Sequence, residues 1–299
     1  LHNGLGELTA EGIKLYAVSY DDPEALGAFV DASGVEFTLL SDVDSEVIRR
    51  YDVLNTIVRP DDVPFYGIPF PGFFLLDEDG TIVDKLFNRH LAHREGIEAI
   101  LDSFTGRVTP GENEPIASTE EDDGIRISAF LRGGGGVLRV GPRRRLVVRI
   151  EMPEGLHIYG DPVPTGMVAT TITIDGPDGF RHEPAKEPPT HAFELPGVDE
   201  PLQVWDGAAD FVFPVYAAST LGRAIRDGVA SIGVDVTVRY QACDDAMCFI
   251  PRTRTLRLEV PIGPGAMPNF GEMRGITGQT VEMDSMTHMK RLVERKQAD

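Results

Sequence analysis

The stretch Val234 to Val260, VDVTVRYQACDDAMCFIPRTRTLRLEV, constrains the fold more tightly than the rest of the chain. Val234, Val236, Val238 and Tyr240 alternate with Asp235, Thr237 and Arg239, the period of a strand with one buried face. Leu256, Leu258 and Val260 repeat that period against Arg257 and Glu259. The bend between the two strands holds Cys243 and Cys248, the two cysteines of the sequence. A disulfide across so short a loop restrains the unfolded chain by only about 2 kcal/mol. Structural staple and redox pair are therefore both open readings of these residues.

The chain has 299 residues, a length that suits two domains, and 41% hydrophobic residues with which to build cores. Asp and Glu number 48 against 28 Lys and Arg, a net charge of −20. Nucleic acid and anionic membrane surfaces attract clustered positive charge, so this balance argues against both as partners. The basic cluster Arg143 to Arg145 reads as the exposed start of a strand. No apolar run has the length of a membrane span. No leader is visible, and because the chain opens at Leu1 without Met, that carries no weight.

The first hundred residues alternate strand and helix patterns. Ile13 to Ser19 is a short apolar run ended by the turn formers Asp21, Asp22 and Pro23, and Leu26, Phe29 and Val30 follow at helical spacing. Phe37 to Leu40 is a second strand, and Asp44 is placed to cap a helix with Val47, Ile48 and Tyr51 on one face. Phe73 to Leu76 and Thr81 to Phe87 flank DEDG, a hairpin turn signal, and His93 to Phe104 is an amphipathic helix. His90 and His93 suggest a metal pair, but no third ligand stands near them and solvated helix-end histidines are the commoner case.

Residues 106 to 123, rich in Gly, Pro and acids, read as a linker. From Gly124 the pattern changes to short strands separated by Gly and Pro: Ile125 to Leu131, Leu146 to Glu151, Ala169 to Ile174 and Ala209 to Tyr216, besides the opening pair. This is the pattern of an antiparallel β-sandwich. Gly133 to Gly136 lacks the Gly-Lys-Ser/Thr of a phosphate loop and reads as a connection between strands. Leu221 to Asp227 fits a short helix or a loop, and residues 263 to 299 form a tail with a terminal helix from Asp284 to Lys296.

Two resemblances follow from these motifs. EGIKLYAVSYDDPEALGAFV, FTLLSDVDSEVIRRYDVLN and YGIPFPGFFLLDEDGTIVDKLF resemble the redoxin or peroxiredoxin-like (AhpC/TSA) branch of the thioredoxin fold, over residues 1 to 105. In that family the reactive cysteine starts the first long helix. Leu1 to Leu8 resembles the end of that helix, so the resemblance implies either an incomplete domain whose thiol lies upstream of Leu1, the favoured reading, or a naturally inactive branch of the family. Pro71 matches the family's cis-proline, with Pro69 competing for the role. Residues 1 to 242 contain no cysteine, so peroxide turnover is not expected of this chain alone.

GLHIYGDPVPTGMVATTITI, LQVWDG and VTVRYQACDDAMCFIPRTRTLRLEV resemble the amino-terminal domain of the disulfide-interchange protein DsbD, over residues 124 to 262. The implied fold is an immunoglobulin-like sandwich, so the whole is expected to be multidomain, an incomplete α/β thioredoxin-like domain followed by an all-β sandwich. The resemblance implies that Cys243 and Cys248 are the catalytic pair, with the later cysteine attacking, although their C-x4-C spacing is one residue shorter than the family's. Trp205, within a segment corresponding to the family's aromatic cap, is either a shield over the thiols or a core residue. Tyr159 and Tyr240 match aromatic positions near the family's site and also fit core packing. Asp244 and Asp245 should raise the thiolate pKa by like-charge repulsion and are either proton shuttles or acidic turn residues. His157 reads as structural.

The function so implied is thiol-disulfide exchange through Cys243 and Cys248, with thioredoxin-like proteins or a membrane electron donor as partners and exchange with the chain's own redoxin domain as a further route. Nucleic acid, metal and cofactor have no place in it. The resemblance implies an extracytoplasmic, periplasmic or cell-envelope location. A peroxidase with an upstream cysteine, and a non-enzymatic binding module with a structural disulfide, are the alternatives.

Overall fold

The computed structural model describes residues 4–63, 65–87, 95–120, 124–194, 201–244, 246–264, 273–274, 280–281 and 284–298. Two compact units divide the chain, Leu1–Leu101 with Met267–Asp299, and Asp102–Ala266.

The first unit opens with α1 (Leu5–Ala10), β1 (Tyr16–Ser19), α2 (Pro23–Ser33), β2 (Thr38–Ser41) and α3 (Glu46–Arg50). β3 (Gly72–Leu76), β4 (Ile82–Phe87) and α4 (Ile97–Thr105) follow. β1 and β2 pair in parallel, Tyr16 opposite Thr38, and β3 and β4 pair antiparallel, Gly72 opposite Phe87. Leu8, Leu75, Ile100 and Leu101 form the core, with Ile13, Leu15, Phe73, Leu86 and Ile97 packed around them. The DEDG turn closes as expected: the Asp77 carboxylate accepts from the Asp79 and Thr81 amides, and Gly80 supplies φ +80°. The helix expected from His93 starts at Ile97, and His90 and His93 lie outside the described residues.

Three local expectations change. Asp22 is not merely a turn former, because its carboxylate caps α2 by accepting from the Ala25 amide at 2.8 Å, with Pro23 in the first turn. The cap of α3 is Asp42 rather than Asp44. Ser45 adopts a left-handed φ of 53°, which folds the chain back so that Asp42 accepts from Val47 and Ile48 at 3.1 and 2.8 Å. Among the described residues the cis peptide is Asp161–Pro162, and the bond preceding Pro71 is trans, the ordinary isomer. There the Phe70 amide donates to Val53 O as the chain leads into β3.

In the second unit the strands are β5 (Ile116–Glu120), β6 (Arg126–Arg132), β7 (Leu138–Arg139), β8 (Arg144–Glu151), β9 (His157–Tyr159), β10 (Thr171–Asp175), β11 (Phe180–His182), β12 (His191–Phe193), β13 (Leu202–Asp206) and β14 (Ala208–Ala217). The short α5 (Ser219–Arg226) precedes β15 (Ser231–Tyr240), β16 (Ala242–Cys243) and β17 (Arg252–Gly263). Three sheets result among the described residues, ordered β11-β14-β8-β6-β5, β10-β15-β17-β7 and β12-β13-β9-β16. The first two line one core. Ile127, Val148, Ile150, Phe211 and Val215 come from one sheet, and Val234, Val236, Val238, Leu256 and Leu258 from the other. Val234, Val236 and Val238 are fully buried, and each such side chain stabilises the fold by about 1.5–3 kcal/mol.

β15 and β17 pair antiparallel, with Val234 opposite Leu258 and Val236 opposite Leu256, as their alternation requires. The stretch read as a linker contains a strand: β5 pairs with β6 from Ile116 opposite Phe130 to Glu120 opposite Arg126. Its alternation, IASTE, is too weakly apolar to declare itself, and the partner strand supplies the backbone hydrogen bonds that hold it. Gly134–Gly136 is a single 3-10 turn between β6 and β7. Arg143 and Arg145 are not exposed; their side chains retain 15% and 16% exposure, Arg143 in a bidentate ion pair with Glu183.

α6 (Ser285–Ala298) completes the first unit. Arg291 forms ion pairs with Asp22 and Glu24, Arg295 donates to Tyr20 O at 2.9 Å, and the Lys296 ammonium lies 5.3 Å from the Tyr20 ring centroid. The terminal helix thus docks on the α/β unit, a choice its own sequence left open.

Candidate active site: the Cys243–Cys248 disulfide

The small sheet β12-β13-β9-β16 has two faces with different work. Side chains alternate along each strand, so register alone sorts them. Ile158 stands opposite Trp205 on β13 and Ala242 on β16, and all three join the large core. Tyr159 stands opposite Val204, and His157 opposite Cys243. Tyr159, Leu202, Val204 and Cys243 form a separate buried cluster, with Val163, Met167 and Phe193 packed against it.

Cys243 and Cys248 are joined by a disulfide of 2.05 Å. Cys243 is 1% exposed, whereas Cys248 is exposed, with Met247 and Ile250 beside it at 61% and 85% exposure. The loop between them is folded by Asp244, whose Oδ1 accepts from the Ala246 and Met247 amides at 2.7 Å each while its amide donates to Met247 O. On the far side the Phe249 amide donates to Ala242 O. Gln241, buried, accepts from the Val168 amide at 2.9 Å and donates to Phe249 O at 3.0 Å. A neutral side chain thus clamps the loop to the segment before β10.

Beneath Cys248 lies a short polar chain. Tyr159 OH is 3.9 Å from Cys248 Sγ, and His157 Nε2 is 2.9 Å from Tyr159 OH. Both rings are buried, and the Phe193 ring lies 4.3 Å from the His157 ring. Burial pushes the Tyr159 phenol up, so it keeps its proton throughout the range in which thiols titrate. The Met247 and Ala246 amides, and then the charge of His157, hold the Asp244 carboxyl below its ordinary value. A carboxylate so held is a loop fastener and a poor proton carrier.

The remaining predicted positions divide. Trp205 is 5% exposed and does not cover the thiols: it shares the Ile158 face, meets Phe211 edge-on at 4.9 Å and donates Nε1–H to Pro188 O. Tyr240 continues the inward face of Val234, Val236 and Val238 into the large core. Asp245 lies outside the described residues. Gln241 and Phe193 were not foreseen, and His157, read as structural, touches the group nearest the sulfur. The available signal was the alternation in HIY, which sends His157 and Tyr159 to one side, and the buried parity of Gln241 next to Cys243. Among the described residues no group of three or more His, Cys, Asp or Glu is arranged to hold a metal. No described helix is long and apolar enough to cross a membrane.

Chemically, a disulfide with one exposed and one buried sulfur offers an incoming thiolate a single point of attack, and on reduction offers a single outward nucleophile.

Comparison with known proteins bears on both units. Residues 1–85 match the AhpC/TSA family, and residues 139–260 match the family described as thiol:disulfide interchange protein DsbD, N-terminal. A Mycobacterium tuberculosis protein assigned by name to the peroxiredoxins is 36% identical over 90 residues, 29% of this chain and 54% of that one. Peroxiredoxin Bcp of Escherichia coli K12 is 33% identical over 86 residues, 27% of this chain and 51% of its own. The chain thus spans about half the length of the curated relatives it matches. The solved N-terminal periplasmic domain of ScsB from Proteus mirabilis matches 48% of this chain and 51% of its own at 15% identity, with a TM-score of 0.33. The segment that matches the AhpC/TSA family thus precedes the segment that matches the DsbD amino-terminal family, and the second matched segment contains both cysteines.

Proposed function

We propose that this protein is a thiol-disulfide oxidoreductase that exchanges electrons through Cys243 and Cys248. The observation that carries this reading is the asymmetry of the pair: Cys243 is sealed against His157 and Tyr159, and Cys248 is exposed between two exposed apolar residues, Met247 and Ile250. In the reduced protein the Cys248 thiolate attacks a partner disulfide, and Cys243 then attacks Cys248 to release the partner. The DsbD-family match over residues 139–260 supports the same assignment.

The domain reading that goes with it is a redoxin module over residues 1–105 and an immunoglobulin-like sandwich over residues 124–262, to which β5 adds an edge strand. Its partners are thioredoxin-like proteins or a membrane electron donor, in an extracytoplasmic compartment, with exchange toward the chain's own redoxin module as a further route. Residues 1–242 hold no cysteine, so peroxide reduction is not assigned to them.

The test is equilibration of the disulfide in thiol redox buffers, together with transfer of reducing equivalents to an oxidised thioredoxin-like protein. A potential in the range of known exchangers, with transfer, is expected. A potential well below about −300 mV with no transfer would identify a structural bond and overturn the proposal.

A further inference from the structure

Resting on that reading, we propose that Tyr159 and His157 form a buried relay that takes the proton from Cys248 and holds its thiolate. Tyr159 OH lies within hydrogen-bonding range of Cys248 Sγ at 3.9 Å and of His157 Nε2 at 2.9 Å, so one hydroxyl bridges the sulfur and the imidazole. The bridge lies on the side of Cys248 away from solvent, because Tyr159 is fully buried and His157 is 5% exposed. A disulfide sulfur has no use for a donor at this position. A thiolate does, since a buried hydroxyl directed at an anion makes a charge-assisted hydrogen bond.

The two hydrogen bonds can reverse together. With Cys248 as the thiol, S–H donates to Tyr159 and Tyr159 donates to His157. When the protons shift, Tyr159 passes its own to His157 and takes that of Cys248, leaving Cys248 as thiolate, Tyr159 neutral and His157 protonated. The thiolate attacks one sulfur of the partner disulfide. That bond breaks, and the first partner thiolate takes up, through solvent, the proton that His157 releases. Cys243 then gives its proton to solvent and attacks Cys248. The Cys243–Cys248 bond re-forms, and the second partner thiolate leaves and is protonated. Two electrons and two protons pass to the partner.

The charges facing His157 suit this role. Asp244 lies in the loop, close enough for the charge of His157 to lower its carboxyl, and Asp206 stands opposite His157 on β13 with its carboxylate 3.5 Å from His191 on β12. The Phe193 ring from β12 is apolar, Cys243 stands opposite on β16, and Tyr159 links the ring to Cys248. The Asp244 carboxylate stabilises the protonated ring that the relay generates. Tyr159 and His157 are positioning residues, acting on the partner only through Cys248.

The experiment uses the full chain with Cys243→Ser, which leaves Cys248 as the single thiol, and follows its alkylation by iodoacetamide against pH. Adding Tyr159→Phe should raise the apparent thiol pKa by about one unit, roughly tenfold slower alkylation near neutral pH. Adding His157→Gln should raise it as well and remove any inflection near the ordinary histidine pKa of about 6.5. Profiles that superimpose on the parent overturn the relay, and a shift with Tyr159→Phe alone overturns the part assigned to His157. A thermal melt accompanies each variant, and should Tyr159→Phe fail to fold, His157→Gln decides the matter. The redox potential of the unsubstituted chain separates the two proposals: normal exchange with unmoved profiles sinks the relay alone, whereas shifted profiles with no exchange sink the oxidoreductase reading alone.

Discussion

Cys243 and Cys248 share one disulfide but not one environment: Cys243 is 1% exposed on β16 opposite His157, and Cys248 is exposed in the loop that follows. The difference assigns the order of events, because a partner disulfide reaches the outer sulfur first. Cys243→Ser should therefore accumulate a mixed disulfide when the reduced variant meets an oxidised thioredoxin-like protein, with no second thiol to release it. Cys248→Ser should accumulate little. Non-reducing electrophoresis with mass determination reads the outcome, and equal trapping by both would remove the asymmetry argument.

Gln241 ties the Val168 amide and the Phe249 carbonyl to one buried amide side chain. Gln241→Ala leaves both groups without that partner, at a cost of about 1–3 kcal/mol. The expected result is a melting temperature lower by several degrees and faster reduction of the disulfide by a small phosphine, since the clamp also restrains the loop. Thermal melts and reduction rates check the two effects separately.

Trp205 packs on Phe211 on the face turned away from the sulfurs. Trp205→Ala should destabilise the sheet-rich unit by about 3–5 kcal/mol through the cavity it leaves. By the same placement, the fluorescence of the native Trp205 should change little between the oxidised and reduced forms. A strong redox-linked change would return it to the role of a cover over the thiols.

Asp244 carries a pH dependence whose sign is set by the Met247 and Ala246 amides. Its folded pKa lies below the unfolded value of about 3.9, so its contribution is complete above that value and is lost as pH falls through the folded pKa. Hydrogen exchange of the Ala246 and Met247 amides should lose protection over that acid range. In Asp244→Ala the protection should already be absent at neutral pH.

Tyr20 gives the opposite case in the first unit. Burial, and then Asp21, push its phenol up to about 12, against the pull of Arg295. The folded value is raised above the ordinary value of about 10, so the associated stability is complete below the latter and is lost as pH rises through the former. Phenolate absorbance of the folded chain should show late-titrating tyrosines, and Tyr20→Phe should remove one of them while Tyr159, also pushed up by burial, still titrates late.

Much of the architecture is local and so was legible. The alternation of Val234, Val236 and Val238 with polar residues yields β15 in any context that offers an apolar face, and Asp77 with Gly80 makes the same turn wherever it stands. What local patterns could not reveal were choices between near neighbours. Asp42 and Asp44 both suit the cap of α3 until Ser45 turns left-handed. IASTE becomes a strand because β6 offers it an edge.

By itself, then, the sequence determined where the long, strongly patterned strands and helices form, that the chain changes from mixed to all-β patterning, and that two cysteines lie in a bend between strands. These follow from side-chain period and turn chemistry, which act over a few residues. Only the tertiary structure decided which face Trp205 occupies, that Cys243 is sealed while Cys248 is open, and that Tyr159 and His157 lie beneath the outer sulfur. Those facts depend on the register of β9 against β13 and β16, strands distant in sequence. A shift of one residue would have exchanged Ile158 for Tyr159 at the site and turned the polar chain into the core.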